Sequence, residues 1–358
     1  AAVELGSRLS RCSKQELLSG IATRETHREG GSMTLCKRPR FSSSDLFDDL
    51  PDDLIVLILV RLSSSASSPS GFFNTLLTCR RFHSLGLHPL VLSMANPEVF
   101  SIPVAKWSES AHRFMVRCIE AGNLEACYTL GMIRFYCLRN RGSGASLMAR
   151  AAMKCQTAAL YSLAVIQFNG SGGTKNDKDL RAGVALCARA ASLGHIDALR
   201  ELGHCLQDGY GTAQDVQEGR RLLIQANARE LANAHSRLTN LPDGSTIAAP
   251  RLHPANRFLI EWFASRNGEL SNGLRMCSHA GCGRPETRCH EFRRCSICGL
   301  VNYCSRGCQA LDWKLRHKME CDPIEQWVGN HVVYADAEQE DEGGEKDGAN
   351  DDAAVLAE

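Results

Sequence analysis

Residues 277–321 read CSHAGCGRPETRCHEFRRCSICGLVNYCSRGCQALDWKLRHKMEC, a stretch that holds eight of the chain's 17 cysteines. Its potential metal ligands form close pairs with short spacings: Cys277 with Cys282, Cys295 with Cys298, Cys304 with Cys308, and His317 with Cys321. Each spacing lets two soft ligands reach one ion, and closed tetrahedral sites of thiolate and imidazole are typical of structural zinc. The pairs therefore predict two zinc ions, and Cys289 is left over.

The local spacing also predicts how each pair is presented. A separation of three residues puts both ligands on one helical face, as for Cys304 with Cys308. The tighter Cys295 and Cys298 pair, followed by Gly299, favours a turn. The stretch has few aliphatic residues, so its folding should depend on bound metal.

The order of these residues, with Tyr303-Cys304-Ser305-x2-Cys308-Gln309 before Trp313, His317 and Cys321, resembles a MYND zinc finger. The resemblance implies interleaved pairing, with one ion held by Cys277, Cys282, Cys304 and Cys308 and the other by Cys295, Cys298, His317 and Cys321. The first pair is separated by four residues rather than two, and a long gap containing Cys289 precedes Cys295. Replacement of a first-site ligand by Cys289 therefore stays open.

A MYND finger also implies a partner. By resemblance, Ser305, Gln309 and Trp313 would line a groove for a proline-containing peptide, although Trp313 is alternatively a core residue. Residues 275–321 carry nine Lys or Arg against four Asp or Glu, and the metal-bound thiolates reduce this surplus. Such a balance is modest for phosphate neutralisation, so protein binding is favoured over nucleic acid.

A second informative stretch, LPDDLIVLILVRL, covers residues 50–62. Pro51 suits a first helical turn, and Asp52 and Asp53 complement the positive end of a helix dipole. Apolar residues surround nearly the whole helix, which indicates burial on more than one side, partly against a partner. After a serine-rich linker, residues 63–70, a second amphipathic segment follows, with apolar residues at helical spacing: Leu76, Leu77, Cys79, Phe82 and Leu85.

These two segments resemble an F-box over residues 45–95, with Phe82 where many F-boxes carry Trp and Leu57 where an acidic residue is common. An ordinary helical hairpin is the alternative. The resemblance implies binding to the Skp adaptor of a cullin ubiquitin ligase through the first helix, by Leu50, Pro51, Leu54, Ile58, Leu59 and Leu62.

An internal repeat occupies residues 118–240. The pattern Ala-x3-Leu followed by a small residue begins at Ala126, Ala159 and Ala198, and the last two units continue into glycine-rich turns at 169–173 and 208–211. Small residues let helices pack closely, and three units are about the minimum for a continuous core. The pattern resembles Sel-like repeats, relatives of the tetratricopeptide family. Such repeats imply a concave surface for a protein partner or, alternatively, a rigid spacer.

The remaining segments connect these domains. Residues 241–275 form a linker whose apolar patch 258–263 would cap the last repeat or seat the finger, residues 276–322. Residues 1–43 and the tail 335–358, which has nine acidic residues against one Lys between Asp336 and Asp352, should be disordered.

No apolar run reaches membrane-span length, and scattered cysteines favour a reducing compartment, so we expect an intracellular protein of nucleus or cytoplasm.

The expected fold class is mainly α, with F-box helices, a helical repeat superhelix and a small two-zinc finger. Together these parts resemble plant F-box proteins that carry a MYND finger. This resemblance implies a non-catalytic substrate-receptor subunit of an SCF-type cullin ubiquitin ligase. A scaffold or transcriptional co-regulator is the alternative. MYND fingers also occur in SET-domain methyltransferases, but the helical flanks and the lack of an Asn-His-x-Cys stretch argue against an enzyme.

Overall fold

The computed structural model describes residues 47, 49–239, 252–265, 270–271 and 273–323. The predictions of disorder for residues 1–43 and 335–358 lie outside these ranges, as do residues 241–251, 266–269 and 272 of the predicted linker. The described chain is mainly helical, which confirms the expected fold class. Within these ranges, no helix combines the length and the apolar content needed to cross a bilayer.

The N-terminal region is a compact set of short helices: α1 (Asp52–Ser65), α2 (Pro69–Leu76), α3 (Arg80–Gly86) and α4 (Pro89–Ser93). Helix α1 begins directly after Pro51 and has Asp52 and Asp53 in its first turn, as predicted. The second predicted segment is instead divided between α2 and α3. Cys79 has extended backbone angles, and its Sγ accepts a hydrogen bond from the Phe82 N–H at 3.4 Å, so it starts a new helix.

The repeat region follows two short 3-10 turns (Pro97–Phe100 and Val104–Lys106) and the leading helix α5 (Glu109–Glu120). Its first pair is α6 (Leu124–Met132), extended by a π-helical turn (Ile133–Cys137), and α7 (Arg141–Met153). The second pair is α8 (Thr157–Asn169) and α9 (Leu180–Ser192), and the third is α10 (Ile196–Asp208) and α11 (Val216–Thr239). The glycine-rich turn after α8 also contains a 3-10 turn (Lys175–Asp177).

The three repeated alanines occupy the same structural position. Each donates its backbone N–H to the side chain three residues earlier, which caps the first helix of its pair. The Ala126 N–H reaches Asn123 Oδ1 at 2.9 Å, the Ala159 N–H reaches Gln156 Oε1 at 2.5 Å, and the Ala198 N–H reaches His195 Nδ1 at 3.2 Å. The predicted repeat is therefore confirmed in its register, although its cap changes from amide to imidazole.

Glycines set the closest approach within two of the pairs. A Cβ placed on Gly144 of α7 would lie 2.7 Å from the Gly131 carbonyl oxygen of α6. A Cβ on Gly219 of α11 would lie at the same distance from the Gly203 carbonyl oxygen of α10. These clashes with backbone show why small residues recur at the paired positions.

Helix α12 (Pro254–Ser265) packs beside the first pair rather than the last. His253 Nε2 lies 3.3 Å from Glu125 Oε2, and the rings of Phe258 and Trp107 are 5.1 Å apart. The interpretation of residues 258–263 as a cap on the last repeat is therefore wrong. Asn256 of the same helix also contacts the finger, since its Nδ2 donates to the Gly281 carbonyl at 3.1 Å.

The finger itself has little regular structure. Met276 and Pro285 form an isolated antiparallel bridge, and β1 (Arg293–Arg294) pairs antiparallel with β2 (Asn302–Tyr303), with Arg293 opposite Tyr303. Helix α13 (Arg306–Asp312), a π-helical turn (Trp313–His317) and α14 (Lys318–Glu320) complete it. These elements carry the metal ligands.

Candidate metal centres and contact surfaces

The first group of ligands is Cys277, Cys282, Cys304 and Cys308, all of them buried. The Sγ atom of Cys304 lies 3.5 Å from that of Cys282 and 3.6 Å from that of Cys308. A zinc ion bound at about 2.3 Å in a tetrahedron needs sulfur atoms roughly 3.8 Å apart. The spacing of this group therefore fits a closed zinc site.

The second group is Cys295, Cys298, His317 and Cys321. Cys298 Sγ lies 3.5 Å from His317 Nε2, and Cys295 Sγ lies 3.9 Å from Cys321 Sγ. The turn that brings Cys295 and Cys298 together is closed by the Gly299 N–H, which donates to the Cys295 carbonyl. Gly299 has a φ of +63°. His317 is held edge-on by the rings of Tyr303 and Trp313.

The ligand atoms within each group lie within 4.8 Å of one another, in the interleaved arrangement that the MYND resemblance implies. Cys289 belongs to neither group and is exposed. Soft thiolate and imidazole donors fit two zinc ions. Because each group supplies four protein ligands, zinc there would serve folding and would have no open position for a reacting water.

A buried arginine balances the charge of the first group. Arg284 Nη1 lies 3.4 Å from Cys282 Sγ, and its Nη2 donates to Ser162 Oγ of α8 at 2.8 Å. Burial alone would lower the pKa of Arg284, but the thiolates of Cys282 and Cys304 raise it well above its usual value. The arginine thus joins the metal site to the repeats.

The finger is docked on the first helices of the second and third pairs. Glu201 of α10 accepts hydrogen bonds from the backbone N–H groups of Arg306 at 3.2 Å and Gly307 at 2.6 Å, which open helix α13. Asn169 Nδ2 at the end of α8 donates to the Cys304 carbonyl at 2.8 Å. These contacts satisfy backbone groups that a helix start and a metal knuckle leave unpaired.

The glycine-rich turn after α8 also contacts the finger. The Gly172 N–H donates to Thr287 Oγ1 at 2.7 Å, Arg288 Nη1 donates to the Gly170 carbonyl at 2.9 Å, and Ser171 donates to the Glu291 carboxylate. The face built from α6, α8 and α10 is therefore covered by α12 and the finger. The repeat pattern predicts for this face a surface for a protein partner or, alternatively, a rigid spacer.

The three residues predicted to bind a peptide have different surroundings. Ser305 is buried, its Oγ caps α13 by accepting from the Cys308 N–H at 3.0 Å, and it lies 3.2 Å from the Tyr161 hydroxyl. Its hydroxyl is therefore already used within the chain. Gln309 and Trp313 are half-buried, and the peptide contact of the three residues stays a prediction.

The predicted adaptor surface on α1 is partly open. Leu54 and Ile58 are 46% and 47% exposed, Pro51 is exposed, and Leu50 and Leu62 are half-buried. One prediction needs correction, since Leu59 is 1% exposed and packs in the core between helices.

Leu57 was absent from the predicted adaptor surface, although it is 60% exposed. Its one sequence signal is that it stands where an acidic residue is common in F-boxes. The exposed face therefore runs from Leu54 to Leu57 and Ile58, which lie three and four positions further along the helix.

Comparisons with known proteins agree with this division. The family model of plant tetratricopeptide repeats matches residues 98–182, and that of the MYND finger matches residues 277–321. An F-box protein of Arabidopsis thaliana is 60% identical over 315 residues, which are 80% of this chain and 83% of that protein. A second Arabidopsis F-box protein is 62% identical over 299 residues, covering 81% and 89%.

A third relative is similar in a much smaller part. SET domain-containing protein 14 of Caenorhabditis elegans is 46% identical over 43 residues, which are 12% of this chain and 10% of that protein. The Arabidopsis proteins, in contrast, match this chain over most of their length.

Proposed function

This chain belongs to the plant F-box protein family, and from that premise we propose that it is a substrate-receptor subunit of an SCF-type cullin ubiquitin ligase. Its F-box would dock on the Skp adaptor, and its finger would hold a target protein. The chain needs no catalytic site for this task, because a receptor acts by bringing its target to the ligase. Such a subunit works inside the cell, in nucleus or cytoplasm.

The exposed face of α1 is the observation that carries this proposal. Leu54, Leu57 and Ile58 are each about half exposed, whereas Ile55, Val56 and Leu59 on the opposite face are buried. Burying one such side chain in a partner contributes roughly 1.5–3 kcal/mol. A contiguous apolar face on an otherwise packed helix supports its use as a docking surface.

The target side is proposed for the outer surface of the finger. The inner face of the repeats already contacts α12 and the finger, and so offers little room for another protein. Exposed apolar residues lie on the finger instead: Ile297, Leu300, Leu315 and Met319. Together with Gln309 and Trp313 they would form the contact for a proline-containing segment of the target.

Adaptor binding by the full chain is the test. We expect the triple variant Leu54→Ala, Leu57→Ala and Ile58→Ala to bind purified Skp adaptor at least about 30-fold more weakly in calorimetry, because even one hot-spot residue contributes about 2 kcal/mol. The matched control replaces two exposed apolar residues of α11, Ile224→Ala and Leu231→Ala, and should bind like the wild type.

The control variant makes the outcomes distinct. If the triple variant keeps wild-type adaptor affinity while both variants remain folded by circular dichroism, the F-box role is contradicted. A chain that never binds the adaptor but does bind targets would be a scaffold or transcriptional co-regulator.

A further inference from the structure

A single guanidinium fastens the chain that leads into α1. Arg81, the second residue of α3, donates from Nε to Asp52 Oδ1 at 2.8 Å and from Nη1 to the Phe47 carbonyl at 2.8 Å. Its Nη2 donates to the Leu50 carbonyl at 2.5 Å. All three acceptors lie 29 to 34 positions earlier in the chain, so these contacts join α3 to the start of α1.

The aromatic ring next to Arg81 supports the same part of the chain. The Phe82 ring meets the Phe47 ring edge-on, with the two centroids 5.4 Å apart. The Leu50 N–H donates to the Phe47 carbonyl at 3.4 Å, so this carbonyl accepts from the backbone as well as from Arg81. A planar guanidinium holds several acceptors in fixed directions, which the point charge of an ammonium does not. Arg81 and Phe82 therefore restrain the residues immediately before the helix.

The restrained residues belong to the predicted adaptor surface. Leu50 and Pro51 precede α1, and Pro51 has φ −56° and ψ 146°, which are not helical angles. Pro51 is exposed and Leu50 is half-buried, so burial alone does not fix them. A partner that binds such residues must order their backbone unless another contact has ordered it beforehand.

We propose that Arg81 is a positioning residue of the adaptor surface, an inference that rests on the proposed receptor function. Its guanidinium holds Leu50 and Pro51 in the geometry that the adaptor binds. The Arg81 and Asp52 side chains are 34% and 62% exposed, and an ion pair so open to solvent adds little to stability. The effect of Arg81 should therefore appear in adaptor affinity rather than in folding.

Adaptor affinity of the full chain is the first measurement. Arg81→Gln should bind purified Skp adaptor about tenfold more weakly in calorimetry, because ordering the backbone of one residue corresponds to roughly that factor. Arg80→Gln is the matched control, since it removes the same charge from the preceding residue, which is exposed. The control should stay within about twofold of the wild type, and both variants should keep the wild-type circular dichroism spectrum and Tm. Equal affinities of the two variants would overturn the proposal.

Two further variants separate positioning from other ways in which Arg81 could act. Arg81→Lys keeps the charge but loses the three-point hydrogen bonding, so it should still bind at least about fivefold more weakly than the wild type. In a chain that already carries Leu50→Ala and Pro51→Ala, Arg81→Gln should weaken binding by no more than about twofold, because the side chains it positions are gone. Wild-type affinity of Arg81→Lys would assign the effect to charge. An undiminished tenfold loss in the Leu50→Ala and Pro51→Ala chain would assign it to direct contact. Either result would overturn the positioning role.

Hydrogen exchange of the free chain tests the same inference without the adaptor. The Leu50 and Leu54 amides donate to the Phe47 and Pro51 carbonyls, and followed by NMR they should exchange several-fold faster in Arg81→Gln than in Arg80→Gln. Amides at 58–61, within α1, should exchange equally in both variants. Equal exchange at Leu50 and Leu54 would contradict the positioning role alone. A wild-type chain that binds no adaptor would instead contradict the receptor function, so the two failures are distinct.

Discussion

Helix α1 and helix α13 both lie in motifs whose families bind other proteins, but they differ in what covers them. Helix α1 leaves Leu54, Leu57 and Ile58 exposed, with its other face packed in the N-terminal core. Helix α13 starts at residues whose backbone N–H groups are held by Glu201, and the preceding Ser305 is buried against Tyr161. The zinc finger, which is the more easily recognised motif, is partly covered by the repeats, whereas the apolar face of α1 is exposed.

This difference shows that how easily a motif is recognised in the sequence and how much of its surface is exposed to a partner are separate properties. The finger can be recognised from its ligand spacing, yet the repeats cover one of its faces. The two regions also obtain stability differently. The finger depends on metal and on contacts such as that between Arg284 and Ser162, whereas α1 depends on aliphatic burial.

Metal removal should produce the largest effect. Chelation, or Cys282→Ser, should unfold the finger, because structural zinc contributes on the order of 10 kcal/mol to small metal-dependent folds. Plasma mass spectrometry should give two zinc ions per wild-type chain and fewer in Cys282→Ser. The F-box should still bind its adaptor after chelation if the two regions are as independent as the comparison suggests.

Cys289→Ser provides the control for metal content. Because Cys289 is exposed and outside both ligand groups, this variant should keep two zinc ions. Loss of one ion would mean that Cys289 replaces a first-site ligand.

Loss of the buried arginine should have the next largest effect. Arg284→Met leaves the thiolate charge of the first site without its partner and should lower the free energy of unfolding by about 3–5 kcal/mol. Denaturant titration of zinc-loaded protein measures this loss. Arg294→Met, on the exposed side of β1, should stay within about 0.5 kcal/mol of the wild type. Equal effects would argue against a special role for Arg284.

Two neighbouring leucines should separate stability from adaptor binding. Leu59→Ala should cost about 2–5 kcal/mol of unfolding free energy, because it leaves a cavity in the core. Leu57→Ala should change stability by less than about 0.5 kcal/mol. Its effect should appear in adaptor affinity instead, measured by calorimetry. If Leu57→Ala is the more destabilising of the two, the orientation of α1 is wrong.

The smallest effect concerns pH at the docking surface. Burial lowers the pKa of His204, in α10, from 6.5 to about 4. In the unfolded chain this histidine binds a proton below about pH 6.5, whereas in the folded chain it does so only near pH 4. Acidification from pH 7 to 5 therefore favours unfolding, by about 1–2 kcal/mol from this group. His204→Gln should lose that part of the pH dependence in denaturant titrations, and an unchanged dependence would contradict it.

Several features were predictable from sequence because they depend on near neighbours. The ligand pairs are separated by two to four intervening residues, so each pair follows from local spacing, whereas their interleaved grouping was implied by the MYND resemblance. The repeated alanines 126, 159 and 198 mark one position in each pair, since helix packing imposes a regular period. Other features escaped prediction. The circumference of α1 is apolar nearly throughout, so periodicity could not separate buried Leu59 from exposed Leu57.

The residues that join the finger to the repeats could not be predicted for a different reason. Glu201 and Arg284 are charged residues at buried positions, and each has a hydrogen-bond partner about a hundred or more positions away. Nothing in their own segments indicates such a partner. The sequence by itself determined the helical class, the repeat register and two soft-ligand metal sites, because these arise from local periodicity and coordination. Only the tertiary structure decided which faces stay open, because burial depends on elements that meet across the chain.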